Sequence, residues 1–132
     1  MRALIAEDDF TSRLLLQKML APYGEVHVAI NGREALEAFV AARHKRRPYD
    51  LICLDIMMPE LDGQAVLREI RTLEEGERAL QRRRVKVLMT TALGDFQSVA
   101  TAFKELCDGY LTKPIEKPKL LRQLRELGVI AA

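Results

Sequence analysis

Tyr49-Asp-Leu-Ile-Cys-Leu-Asp55 decides how this chain is read, together with its companion stretch Arg2-Ala-Leu-Ile-Ala-Glu-Asp-Asp9. Each is a short apolar run of strand length that closes on acid, the pattern of a strand buried in a sheet. In a parallel sheet the carboxyl ends of neighbouring strands share one edge, where α/β folds keep their sites. Asp8, Asp9 and Asp55 would then meet there. Like charges at ~5 Å repel by about 3 kcal/mol per pair at an effective dielectric of about 20. A cluster of that kind points to a cation or a reaction that needs it.

Outward from these two runs, strands are expected at about 2–7, 25–30, 50–55, 85–90 and 109–112, with helices between them. Four stripes at helical spacing supply core faces: Ala35, Leu36, Phe39 and Val40; Val66, Leu67, Ile70 and Leu73; Phe96, Val99, Ala100 and Phe103; Leu120, Leu121, Leu124 and Leu127. Asn31 with Glu34 reads as a capping box for the second helix. Asp62-Gly63 precedes the third helix, Pro118 suits the first turn of the fifth, and Gly128 can end it. Strands alternating with helices at this spacing imply right-handed crossovers and a sheet covered on both faces. The expected product is an α/β protein, a three-layer α/β/α sandwich of five parallel strands and five helices.

Composition narrows the function. The chain has 132 residues, enough for one domain that buries about two thirds of its unfolded surface. With 48% apolar and 30% charged residues, neither disorder nor a membrane protein is indicated. No apolar run approaches the ~18 residues of a spanning helix, and no signal peptide opens the chain. A net charge of +2 is too small to argue for nucleic acid, so no direct nucleic-acid binding and no membrane partner are expected. Cys53 and Cys107 lack metal-ligand spacing and read as buried free thiols of a reducing cytosol, which places the chain in the cytoplasm.

The same sheet edge collects more chemistry. The fourth strand runs into Thr91-Ala92 and the fifth into Lys113-Pro114. Carboxylates without a nearby His or Cys suit a hard cation such as Mg²⁺, which accepts one or two of them and keeps water or phosphate oxygens. An aspartate can itself be the nucleophile that forms an acyl phosphate. A lysine and a threonine hydroxyl would then stabilise the incoming phosphoryl oxygens.

These residues carry a resemblance. Glu7-Asp8-Asp9, Asp55-Ile-Met-Met-Pro59-Glu-Leu-Asp62-Gly63, Met89-Thr-Thr91-Ala92 and Gly109-Tyr110-Leu-Thr-Lys113-Pro114 resemble the motifs of receiver domains of two-component response regulators, over the whole chain. The resemblance implies the flavodoxin-like strand order 2-1-3-4-5, a receiver domain over 1–128, a short tail over 129–132, and no output domain. It implies that Asp55 accepts a phosphoryl group from a histidine kinase or histidine phosphotransfer protein. Mg²⁺ would be held by Asp8, Asp9, Asp55 and the backbone carbonyl of Met57. Lys113 would pair with the acceptor, Thr91 and Tyr110 would form the switch pair, and the Lys113-Pro114 bond would be cis. Strand alternation is expected to turn Glu7 away from Asp8 and out of the ligand set. Output is expected through the face of the fourth helix, fifth strand and fifth helix, onto a downstream protein of unknown identity. A phosphorylation-dependent homodimer is left open.

Two positions bear on phosphate lifetime. Met57 lies two residues after the acceptor and Leu93 two after Thr91, and neither can hold the attacking water that hydrolysis needs. A long-lived phosphorylated state follows. Arg43-His-Lys-Arg-Arg47 and Arg82-Arg-Arg84 with Lys86 precede adjacent strands and read by default as solvated loops, with a docking patch for an acidic partner or weak nucleic-acid contact through phosphates alone as the sharper alternatives.

The rivals are weaker. An aspartyl phosphatase of another α/β family would place a second Asp where Met57 stands. A flavodoxin-type flavin protein would put a phosphate cradle where Glu7-Asp8-Asp9 would repel it. A receiver that is never phosphorylated is disfavoured by the complete residue set. The remaining alternative is a fragment of a longer response regulator or hybrid kinase. The expected role is thus a phosphorylation-controlled binding module, not an enzyme acting on a separate substrate.

Overall fold

The computed structural model describes residues 1–58, 60–76, 84–92 and 106–131. Five strands form one parallel sheet in the order β2-β1-β3-β4-β5. They are β1 (Arg2–Ala6), β2 (Glu25–Ala29), β3 (Leu51–Asp55), β4 (Lys86–Thr91) and β5 (Gly109–Thr112). The helices are α1 (Phe10–Leu20), α2 (Gly32–His44), α3 (Gly63–Gly76) and α4 (Lys117–Glu126). The stripe expected for the fourth helix, Phe96 to Phe103, lies outside the described residues, so α4 is the helix expected as the fifth.

Side-chain alternation sorts the strands into two cores. Leu4, Ala6, Ile52, Leu54, Val87 and Met89 face α2 and α3, whose Ala35, Phe39, Val66, Leu67 and Ile70 are buried with them. Ala3, Ile5, Leu51, Cys53, Leu88 and Leu111 face the other way, against Leu16 and Leu20 of α1 and Leu120, Leu121 and Leu124 of α4. Both faces of β1, β3 and β4 are dry, which is why these strands read as continuous apolar runs. Each of the larger side chains contributes about 1.5–3 kcal/mol on burial.

The boundary residues act locally as their types dictate. Asn31 Oδ1 accepts from Glu34 N at 2.8 Å, and Glu34 Oε1 accepts from Ile30 N at 3.3 Å, closing the box one residue upstream of the expected donor. Asp62 Oδ1 accepts from Ala65 N at 2.9 Å and opens α3. Pro118 sits in the first turn of α4, and Gly128 takes the left-handed φ of 76° beyond its end.

The basic loops are less uniform than the sequence implied. Arg43 is buried, with its guanidinium 5.3 Å from the Phe39 ring centroid, and Arg47 pairs with Glu25 at 3.5 Å. Arg84 lies 4.0 Å from Glu74, while Arg82 and Arg83 fall outside the described residues.

Candidate phosphoacceptor site

Parallel pairing brings the ends of β1, β3, β4 and β5 to one edge, with Asp55 in register with Thr90 and Thr91 with Thr112. Asp55 is the last residue of β3 and is buried. Gly63 makes that burial tight: a Cβ at this position would come within 2.2 Å of the Asp55 carbonyl oxygen. The start of α3 can therefore lie directly against the end of β3, with Gly63 N donating to Ile56 O at 3.0 Å.

Lys113 reaches the pocket from the end of β5. Its Nζ lies 3.3 Å from Asp55 Oδ1 and 2.6 Å from Glu7 Oε1. The Lys113-Pro114 bond is cis, as expected for this motif. Thr91 is buried at the end of β4, and its hydroxyl donates to Ala92 O at 3.2 Å, within its own loop. Lys113 N donates to Thr91 O at 2.8 Å, so the two loops are tied together.

The acidic triad differs from the one the sequence suggested. Glu7, Asp8 and Asp55 each place a carboxylate oxygen within 4.8 Å of the others. Strand pairing stops at Ala6, so the alternation that would have turned Glu7 outward no longer governs it. Its side chain is buried against Lys113 instead. Asp9 is the N-cap of α1, with Oδ2 accepting from Ser12 N at 2.9 Å and satisfying a free amide of the first turn. The signal for that role was present in the sequence: an Asp three residues before Ser12 at the start of a helix.

Protonation follows the crowding. Burial, then the hydrogen bond and charge of Glu7, push the Asp55 carboxyl up to about 7, with Lys113 pulling the other way. Burial also raises Glu7, but hydrogen bonds with Asp55 and Lys113 outweigh it and hold its carboxyl below the ordinary value. Burial lowers Lys113, yet Glu7 and Asp55 more than compensate and its ammonium is held charged to higher pH than usual. Near neutrality the Asp55 carboxyl is thus only partly ionised, beside an ionised Glu7 and the Lys113 ammonium.

The donors suit a hard divalent cation. All three are carboxylates, Asp8 is exposed and gives access, and the crowding that raises the Asp55 carboxyl is what a cation would relieve. Met57, two residues beyond Asp55, projects outward at 70% exposure. Tyr110 packs partly buried against the α2–α3 core, with its hydroxyl shut off from solvent. Leu93 lies outside the described residues.

Among the described residues no helix is long and apolar enough to cross a membrane. Among similar proteins, a "Probable transcriptional regulator ycf27" from Galdieria sulphuraria is 35% identical over 125 residues, covering 94% of this chain and 44% of that protein. This chain spans about half the length of the ycf27 relatives it matches. The "Chemotaxis protein CheY" of Halobacterium salinarum is 30% identical over 127 residues, covering 96% of this chain and 95% of that protein.

Of solved structures, the response regulator TrrA of Thermotoga maritima in complex with Mg²⁺ and BeF aligns at a TM-score of 0.76 and 30% identity, over 96% of this chain and 97% of that one. The receiver domain of Ssk1, co-crystallised with the Saccharomyces cerevisiae histidine phosphotransfer protein Ypd1, aligns at 0.81 and 26%, over 97% and 88%. The family described as "response regulator receiver domain" matches residues 3–125, and with the strand order, the acidic triad and Lys113 in place, the chain belongs to that family.

Proposed function

We propose that this chain is a phosphoacceptor signalling module of a two-component system, with Asp55 as the acceptor. The observation that carries the reading is the buried Asp55 carboxyl, held by Lys113 at 3.3 Å and crowded by Glu7 and Asp8. An oxygen of Asp55 attacks the phosphorus of a phosphohistidine on a histidine kinase or histidine phosphotransfer protein. The P–N bond breaks, its electron pair stays on the imidazole nitrogen, and an O–P bond forms on Asp55. Lys113 and Thr91 contribute an ammonium and a hydroxyl to the transferred oxygens. Glu7, Asp8 and Asp55, with the Met57 carbonyl, form the site for Mg²⁺; Asp9 stays with α1. A bound divalent cation would neutralise the carboxylates and screen the phosphoryl charge.

Phosphorylation adds about −1.5 to −2 charge and new acceptor oxygens at Asp55. Thr91 then has reason to exchange its bond to Ala92 O for one to phosphate, and Tyr110 is the aromatic partner of that switch. Met57 and Leu93 provide no water-orienting group, so the acyl phosphate is long-lived. The chain acts on itself and on its phosphodonor, and its output goes to a downstream protein. The buried free thiols Cys53 and Cys107 support a reducing, cytoplasmic setting. A receiver module cut from a longer regulator is the second reading, favoured by the 44% coverage of the Galdieria relative.

Beryllofluoride with Mg²⁺ tests the site directly by ¹⁹F NMR. A bound resonance is expected for wild type and none for Asp55→Asn. A bound resonance that survives this substitution would overturn the assignment.

A further inference from the structure

At the end of the sheet opposite the acceptor sits a buried ionic knot that the phosphoryl chemistry does not use. Arg71, on α3, is 8% exposed. Its Nε donates to Leu106 O at 2.7 Å, Nη1 to Glu74 Oε1 at 2.6 Å and to Val85 O at 2.9 Å, and Nη2 to Asp108 Oδ2 at 3.0 Å. The two carboxylates continue the network to backbone: Glu74 Oε2 accepts from Val85 N at 2.7 Å and Asp108 Oδ2 from Val87 N at 2.8 Å. One guanidinium thus binds α3, the entry to β4 and the turn that enters β5.

Leu106 and Asp108, both gripped by Arg71, flank Cys107. Cys107 is buried in the α2–α3 core, and the partly buried Tyr110 packs against that same core with its hydroxyl closed off from solvent. We infer that Arg71 is a positioning residue for the switch aromatic: by clamping the Leu106–Asp108 turn it fixes Cys107 and the entry to β5, and with them the place of the Tyr110 ring against the core that Cys107 and Tyr110 share. The role of Tyr110 as a switch rests on the proposed phosphoacceptor function; the clamp itself does not.

The planar fork explains why the residue is arginine. Its nitrogens serve four acceptors on three segments at fixed angles, which a lysine ammonium cannot span. Arg71→Lys keeps the charge beside Glu74 and Asp108 but must release part of the turn. Asp108→Asn is the milder second variant, since an amide oxygen can still accept from Val87 N while the ion pair is lost.

The test uses the full chain and two internal reporters. Cys53 is 1% exposed in the centre of β3, with burial pushing its thiol up to about 12, and serves as the control for global opening. Iodoacetamide labelling, read site by site by peptide mass, is run alongside NMR of ¹³C-labelled tyrosine rings. In Arg71→Lys, and to a smaller extent in Asp108→Asn, Cys107 should label about tenfold faster while Cys53 stays unchanged, because local opening exposes one thiol only. The Tyr110 ring resonances should move, with those of Tyr23 and Tyr49 unmoved. Equal acceleration of both thiols in both variants, or an unshifted Tyr110 ring, would overturn the inference and leave Arg71 a merely structural ion pair. Neither readout needs a phosphoryl group, so failure of wild type to bind beryllofluoride would count against the phosphoacceptor reading alone.

Discussion

Mg²⁺ and a proton should compete for the Asp55 carboxyl. Burial and the neighbouring Glu7 push that carboxyl up to about 7, so near neutrality the apo pocket holds a proton on about half the molecules. A cation needs the ionised form. Its apparent affinity should therefore be about twofold below its alkaline limit at about pH 7 and about tenfold below it at about pH 6. Binding should release about half a proton at about pH 7, rising toward one proton a unit lower and toward none a unit higher. Calorimetry of Mg²⁺ titrations in two buffers of different ionisation heat reads the released proton directly. Glu7→Gln removes the smaller of the two causes and leaves burial in place, so the Asp55 carboxyl falls part of the way toward its ordinary value and the release near neutrality should shrink. An affinity flat between about pH 6 and 8, with no buffer dependence, would refute the reasoning.

Further expectations concern stability and lifetime. The Asp55 carboxyl is held above its ordinary value of 3.8, so the folded state binds its proton more tightly than the unfolded chain does. Ionising it costs nothing below about pH 4 and reaches full cost above about pH 7, at most about 4 kcal/mol and about 1–2 once Glu7 and Lys113 share the shift. Asp55→Asn should therefore stabilise the metal-free protein by that smaller amount at neutral pH in urea unfolding, with the gain vanishing in acid. Arg71→Met strands Glu74 and Asp108 without their cation and should cost about 3–5 kcal/mol in the same measurement. Met57→Asn introduces a side chain that can orient water, and decay of the phosphorylated protein should quicken by about tenfold, followed by intact mass.

The strands were legible because β1, β3 and β4 are dry on both faces and leave unbroken apolar runs, while α2 and α3 carry clean stripes; their order came from the family resemblance of the site motifs and not from the runs themselves. Asp55, Thr91 and Lys113 were legible for a related reason: each stands at the end of a run, where strand geometry alone decides which edge it reaches. Glu7 and Asp9 were not. Period-two alternation holds only while the strand pairs, and β1 releases the chain at Ala6. Beyond that point a helix cap competes for one acid and a lysine from β5 captures another. A three-acid run cannot show which of its members each of these takes. The Arg71 knot was hidden as well, since Arg71, Val85, Leu106 and Asp108 meet only through tertiary packing, and three of the four acceptors on Arg71 and Asp108's own donor involve backbone or distant side chains. Arg43 misled in a similar way, for a basic run of five residues gave no sign that its first member stacks on Phe39 and is buried.

The most direct measurement is the site of phosphorylation. Acetyl phosphate and Mg²⁺ are added to the purified chain, the acyl phosphate is trapped by borohydride reduction, and peptide mass spectrometry locates the change. One modification at Asp55, absent without Mg²⁺ and in Asp55→Asn, is the expected result. Modification at any other residue, or none on a folded protein that binds Mg²⁺, would contradict the assignment of Asp55 as acceptor.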